Sequence, residues 1–228
     1  MSFLKNMKIL IIETSSIACS LALLIDNEIS AIHEIMPMQQ AQQVLPLLKK
    51  LLASKNIKLN QLDAVAFGCG PGSFTGIRIA ASVAQGLGYA CELPIISISS
   101  LAGLAQAAYE AFHWEQLLVA IDARIQEVYW GQYTVNSAGL VTLIGQEKVS
   151  KPEEVTVAEP SHWYGVGNAW EVYAKQIPYA ALAIDAIQLA TASAMALLAK
   201  DKYLKKEFLD PANALPVYLR DNVAKKAY

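Results

Sequence analysis

Residues 63–91 read DAVAFGCGPGSFTGIRIAASVAQGLGYAC, and this stretch decides the fold. Ala64, Val65, Ala66 and Phe67 form a short apolar strand. Gly68, Gly70 and Gly72 then crowd around Pro71, punctuation that forces a tight turn with unusual backbone angles. Ser73 or Thr75 is placed to cap a helix, its side-chain oxygen accepting a free amide of the first turn. That helix is expected to end near Gly88 or Tyr89. Gly76, Ala80, Ala84 and Gly88 fall four apart and share one face. A face without bulk lets another helix approach closely. A phosphate also suits a glycine turn at a helix start. Here no Lys follows the glycines, and Ser73 stands where the dinucleotide pattern needs its third Gly. The glycines are therefore read as serving turn geometry and packing.

Working outward, residues 8–12 form an apolar strand that runs into the polar turn Glu13-Thr14-Ser15-Ser16. Residues 20–26 and 29–35 read as a hairpin through Asp26-Asn27. Residues 39–53 have helical periodicity, with Val44, Leu47, Leu48, Leu51 and Leu52 on one side and Pro46 inside. Beyond the central unit come a strand at 94–98 and an Ala-rich helix at 101–112. The second half begins as the first did, with an apolar strand at 117–121 that ends on Asp122. A hairpin (127–135 and 140–149), a short helix (150–157) and a strand (163–166) follow. Then come the turn Gly165-Val166-Gly167-Asn168, a helix at 169–175, a strand at 181–184 and a helix at 191–200. Both halves read strand, strand, strand, helix, strand, helix, an internal repeat that predicts two α/β lobes, each a mixed sheet with helices. The expected division is 1–100 and 101–228.

A chain of 228 residues has room for one large domain or two modest lobes. With 54% apolar and 17% charged residues it reads as well packed, and disorder is expected only in the last few residues. A net charge of −2 argues against gripping nucleic acid unaided, because phosphate binding needs a basic surface. Cys19, Cys69 and Cys91 sit in apolar surroundings and read as small buried hydrophobes in a reducing compartment. Glu13 interrupts the first apolar run and Asp26 the next, so neither export nor a membrane span is supported. The expectation is a soluble cytoplasmic protein.

The duplicated fold that binds ATP in actin, sugar kinases and heat-shock chaperones places an acid and a Gly-Thr turn against the phosphates. The matching places here are Glu13 in the first half and Asp122-Ala123-Arg124 in the second, with Gly165 and Gly167 where an adenosine would sit. Each has a plainer reading, as strand-end groups and turn glycines. His33, His113 and His162 show no ligand spacing, and Gly72-Ser73-Phe74-Thr75-Gly76 misses the nucleophile-elbow pattern. No catalytic residue and no metal ligand is assigned. Arg78, in the first turn of the central helix, is a candidate to pair with a partner's carboxylate.

The segments 9–15 (ILIIETS), 18–20 (ACS), 70–78 (GPGSFTGIR) and 84–87 (AQGL) resemble the bacterial TsaB (YeaZ) family. So do 121–124 (IDAR), 127–130 (EVYW) and 216–220 (PVYLR), and together these matches span nearly the whole chain. The resemblance implies the duplicated actin-like (ASKHA, ribonuclease H-like) fold. It also implies a part in making threonylcarbamoyladenosine on tRNA beside the anticodon. In that family the catalytic work belongs to a TsaD paralogue with metal-binding histidines, and the corresponding segment here, ISISSLAGL at 96–104, has none. The implied role is a subunit without independent activity that supports TsaD, with the TsaE ATPase joining the complex and tRNA engaged only through the assembly. The resemblance allows ATP or ADP at an interface within that complex, while no cofactor is read from these residues. The family pairs with itself or with TsaD through its first two helices. Together with the small-residue stripe, this nominates Val44, Leu48, Leu51, Gly76, Arg78, Ala80, Ala84 and Gly88 as partner-binding residues. Glu13 stands where the family commonly has Asp, and 40–43 replaces a helix start that usually contains His. The competing reading is an enzyme, either an actin-like phosphotransferase or a peptidase.

Overall fold

The computed structural model describes residues 7–157 and 162–220, so the last few residues, for which disorder is expected, lie outside the described residues. The first sheet contains β1 (Lys8–Glu13), β2 (Ala18–Ile25), β3 (Glu28–Ile35), β4 (Ala64–Gly70) and β5 (Ile95–Ser99). Their order is β3-β2-β1-β4-β5. β1, β2 and β3 pair antiparallel, the β2–β3 turn being made by Asp26 at φ 55°, and β4 and β5 add in parallel. β1 and β4 are covered on both faces, as their unbroken apolar runs require.

The second sheet contains β6 (Gln116–Arg124), β7 (Glu127–Val135), β8 (Val141–Ser150), β9 (Tyr164–Val166) and β10 (Ile184–Asp185). Its order, β10-β9-β6-β7-β8, repeats the first sheet from the opposite end, with the same antiparallel and parallel pairings. The molecule is therefore a duplicated actin-like α/β fold of two lobes.

The helices are α1 (Gln40–Ser54), α2 (Phe74–Cys91), α3 (Ser100–Phe112), α4 (Ala169–Tyr173) and α5 (Ala192–Leu204). The helix expected at 150–157 shrinks to a 3-10 turn at Pro152–Glu154. The run Val155-Thr156-Val157 that follows is β-branched and a poor continuation of a helix. Helices α1 and α2 cover the outer face of the first sheet, burying Val44, Leu48, Leu51, Phe67, Ala80 and Ala84 together. Helices α3 and α5 lie between the sheets, in a core that joins Ile9 and Ile11 of one lobe to Val119 and Tyr133 of the other. α5 packs on β1 and β2 of the first sheet, while α3 packs on both sheets, against β4 and β5 on one side and β6, β7 and β8 on the other. At their crossing a Cβ on Gly103 would collide with the Met195 side chain, which fills that space instead.

Beyond α5 the chain returns along the first lobe. Leu209 exchanges backbone hydrogen bonds with Ile95, and the Val217 amide donates to the Cys69 carbonyl at 2.8 Å. Arg220 then donates to the Ala123 carbonyl at 3.0 Å and pairs with Glu127, strapping the tail to the β6–β7 hairpin of the second lobe.

Candidate functional site

The glycine turn after β4 locks onto the turn after β1. Thr14 Oγ1 donates to the Gly76 carbonyl at 2.7 Å, and the Ser73 amide donates to the Ser15 carbonyl at 2.7 Å. A Cβ on Gly76 would run into the Thr14 carbonyl, and one on Gly72 would stand 2.7 Å from Ser15 Cβ. Gly70, at φ 105°, is the residue for which left-handed backbone demands glycine. Ser73 caps α2, its Oγ accepting from the Gly76 amide at 3.3 Å. The amides of Ser73 and Gly76, which would meet a phosphate at this helix start, are thus taken up by the chain's own turns.

Glu13 is drawn into the same lock rather than toward a ligand. It is 1% exposed, lies against the bare backbone of Gly68, and accepts from the Ser15 amide and from Ser100 Oγ at 3.0 Å. Burial pushes its pKa up, and the bonds from Ser15 and Ser100 oppose that shift. Glu13 is corrected here from a phosphate-facing candidate to a buried structural carboxylate. Gly165 is closed off by the Trp170 ring, whose nearest atom would be 2.7 Å from an added Cβ. Gly167, at φ 102°, sits against the Ala120 carbonyl. Both glycines serve packing of β9 and α4.

Asp122 does line the cleft between the lobes, a space of about 1000 Å³ shared by Ser15, Thr75, Asn168 and Tyr218. Its carboxylate is occupied locally, accepting from the Arg124 amide at 2.9 Å and pairing with the Arg124 guanidinium at 3.4 Å. The Asp122 amide donates to Asn168 Oδ1 at 2.9 Å, which ties the end of β6 to the start of α4. Among the described residues no three His, Cys, Asp or Glu side chains gather as a metal set. No helix among them is long and apolar enough to cross a membrane.

The small-residue stripe faces inward. Ala80 and Ala84 are 0% exposed, and an added Cβ on Gly88 would stand 2.8 Å from both Ile95 and Pro211. Val44, Leu48 and Leu51 are buried in the same cluster. Leu48, Leu51, Gly76, Ala80, Ala84 and Gly88, six of the eight nominated partner-binding residues, are thus corrected to core, because a residue already enclosed by its own chain has no surface left to offer. The physical reason is that small residues admit a sheet as readily as a helix.

What the two helices present outward is their bulkier apolar side: Leu45 at 56% exposure, Phe74 at 58%, and the half-buried Ile79 and Val83. These residues, with Ala41, Val44, Thr75, Arg78 and Ser82, line a groove of about 350 Å³ between α1 and α2. Two of the nominees, Val44 and Arg78, line it, Val44 from its floor with 2% of its surface exposed and Arg78 from its wall. Its guanidinium carbon sits 3.2 Å from the Phe74 ring centroid and 5.0 Å from that of Tyr218, and Nη1 donates to the Phe74 carbonyl at 3.0 Å. The signal for this face was present in the sequence. Leu45 is an apolar residue on the polar side of α1, and Phe74 opens α2 beside its cap.

A second feature escaped the sequence reading. Ser99 Oγ accepts the amides of Leu101 and Ala102 at the start of α3 while donating to Glu147 on β8, and Tyr133 Oη donates to the same carboxylate. Burial raises the Glu147 pKa, and these two donors oppose the shift. Nearby Cys69 is pushed up to about 12 by burial and by the negative charges of Glu147 and Glu13.

A family model described as "TsaD: tRNA N6-adenosine threonylcarbamoyltransferase" matches residues 26–228. The protein named "tRNA threonylcarbamoyladenosine biosynthesis protein TsaB" of Haemophilus influenzae is 36% identical over 98% of each chain. Its namesake from Escherichia coli K12 is also 36% identical, over 96% of this chain and 97% of that one. The solved structure of YeaZ from Pseudomonas aeruginosa superposes with a TM-score of 0.91 at 41% identity, covering 93% of this chain and 100% of the other. An interlocked glycine turn, a duplicated actin-like fold and relatives of this identity along almost the whole length agree: the chain belongs to the TsaB (YeaZ) family, within the wider family that the TsaD model describes.

Proposed function

We propose that this protein is a TsaB subunit that supports threonylcarbamoyladenosine formation on tRNA in the cytoplasm, docking a TsaD paralogue through the outer face of α1 and α2. The observation that carries this reading is the groove of Leu45, Phe74, Ile79 and Val83, a contiguous apolar surface left open between two helices of the first lobe. Contiguous exposed apolar surface of this kind marks an interaction site. The Ser73 and Gly76 amides at the start of α2 and the Glu13 carboxylate are engaged by the chain itself, which favours a supporting subunit over a phosphotransferase. TsaE joins through the complex, a second copy uses the same face when no partner is present, and tRNA is engaged through the assembly, in keeping with a net charge of −2.

The test is a reconstituted modification reaction containing the TsaD and TsaE partners, ATP and tRNA, with modified nucleoside read by mass spectrometry. Product is expected only when this chain is present, and the chain alone is expected to form none and to turn over no ATP. Robust ATP turnover by the chain alone, abolished by Asp122→Asn, would overturn the reading in favour of an enzyme.

A further inference from the structure

Resting on the docking reading above, we infer that the α1–α2 face is built for an acidic partner surface in preference to a second copy of itself, with Arg78 as the residue that sets the preference. The sequences of α1 (QAQQVLPLLKKLLAS) and α2 (FTGIRIAASVAQGLGYAC) contain no Asp or Glu and carry Lys49, Lys50 and Arg78. The nearest acids in sequence, Glu34 on β3 and Glu92 at the end of α2, fall outside both helices. Ala41, Leu45 and Lys49 follow one another at four-residue spacing and are all exposed, so a cation stands on the same outer side of α1, one turn beyond the apolar groove. Arg78 supplies the cation at the other wall.

The Arg78 side chain is held ready. Phe74 and Tyr218 pack against its guanidinium plane, and one N–H is fixed on the Phe74 carbonyl. Among the described residues no carboxylate lies within ion-pair distance of it. A planar fork with its remaining donors free matches a carboxylate in two-point geometry, and little side-chain freedom is left to lose on binding. Two copies meeting face to face through a two-fold axis would instead set basic surface against basic surface. Like charges across an interface disfavour the wrong partner, and opposite charges steer the right one. Screening therefore acts with opposite sign on the two assemblies, weakening the mixed pair and relieving the self-pair.

The experiment measures two dissociation constants by sedimentation, for self-association and for the complex with the TsaD paralogue, at about 0.05 M and about 0.5 M salt, a span over which screening shortens several-fold. The mixed complex is expected to weaken about tenfold across that range, while self-association holds or tightens. Arg78→Ala is expected to weaken the mixed complex by about tenfold or more, to remove most of its salt dependence, and to leave the self-pair no weaker. Arg78→Lys, which keeps the charge and loses the fork, should restore the salt dependence with only part of the affinity. If Arg78→Ala fails to fold, Arg78→Gln and Lys49→Glu carry the same comparison. A mixed complex that forms but ignores both salt and Arg78 overturns this inference and leaves the docking reading standing. A self-pair that weakens with salt as the mixed pair does also overturns it. Absence of any mixed complex removes both.

Discussion

Gly76 and Gly86 sit on the same helix and face opposite fates. An added methyl at Gly76 meets backbone, the Thr14 carbonyl, whereas at Gly86 it meets nothing within 4 Å. Gly76→Ala is therefore expected to destabilise the protein by about 1–3 kcal/mol or more, since backbone must move to admit it. Gly86→Ala is expected to stabilise by about 0.5–1 kcal/mol through helix propensity. Urea midpoints shifting in opposite directions would bear this out, and shifts of the same sign would contradict it. Sequence alone marks both as glycines in one helix. It does not disclose that Thr14 lies against Gly76, because those residues are 62 positions apart and only folding joins them. The same distance problem hid Glu147, whose partner Ser99 lies 48 positions away. Burial raises the Glu147 pKa, so its protonated form is favoured by folding and its contribution is full below the ordinary value of 4.5. That contribution is lost as pH rises through the raised folded value. Glu147→Gln, which cannot ionise, should gain in melting temperature relative to the native protein as pH is taken from about 4 to about 7. A difference that stays flat with pH would contradict the assignment.

At the scale of elements, α2 shows what periodicity can and cannot say. The four-residue spacing of Gly76, Ala80, Ala84 and Gly88 correctly identifies one helical face, and Ser73 caps the helix as its position implies. Spacing does not say which side is inward. Here the usual expectation of bulky residues inside is reversed, with the small residues pressed on the sheet while Phe74, Ile79 and Val83 look outward. Close helix-to-sheet approach explains the inversion, and it makes Ala84 a packing residue. Ala84→Leu is expected to cost about 1–3 kcal/mol by overpacking, a melting temperature lower by roughly 3–10 °C for a protein of this size. Calorimetry showing an unchanged melting temperature would place the stripe on the surface after all. The elements that sequence misjudged are the short ones. The helix expected at 150–157 is a single turn, and the last strand is reduced to Ile184–Asp185, because neighbours set the conformation of so few residues.

At the scale of the molecule, the repeated order of strands and helices made the duplication legible, and the two sheets do share one strand order. The placement of α3 and α5 between the two sheets was not legible, since it depends on contacts between distant segments. That placement joins the two sheets through one core and leaves the outer side of α1 and α2 open, where an apolar groove lies. The family resemblance supplied the expectation of a partner at these helices, and the structure moves the candidate contact from their inner to their outer side. The most direct measurement is the affinity of the TsaD paralogue for Leu45→Glu and Phe74→Glu, taken beside their melting temperatures. The account predicts normal melting and at least about a thirtyfold loss of binding, since central apolar anchors of an interface typically cost about 2 kcal/mol or more when removed. Both variants binding TsaD with native affinity would contradict it.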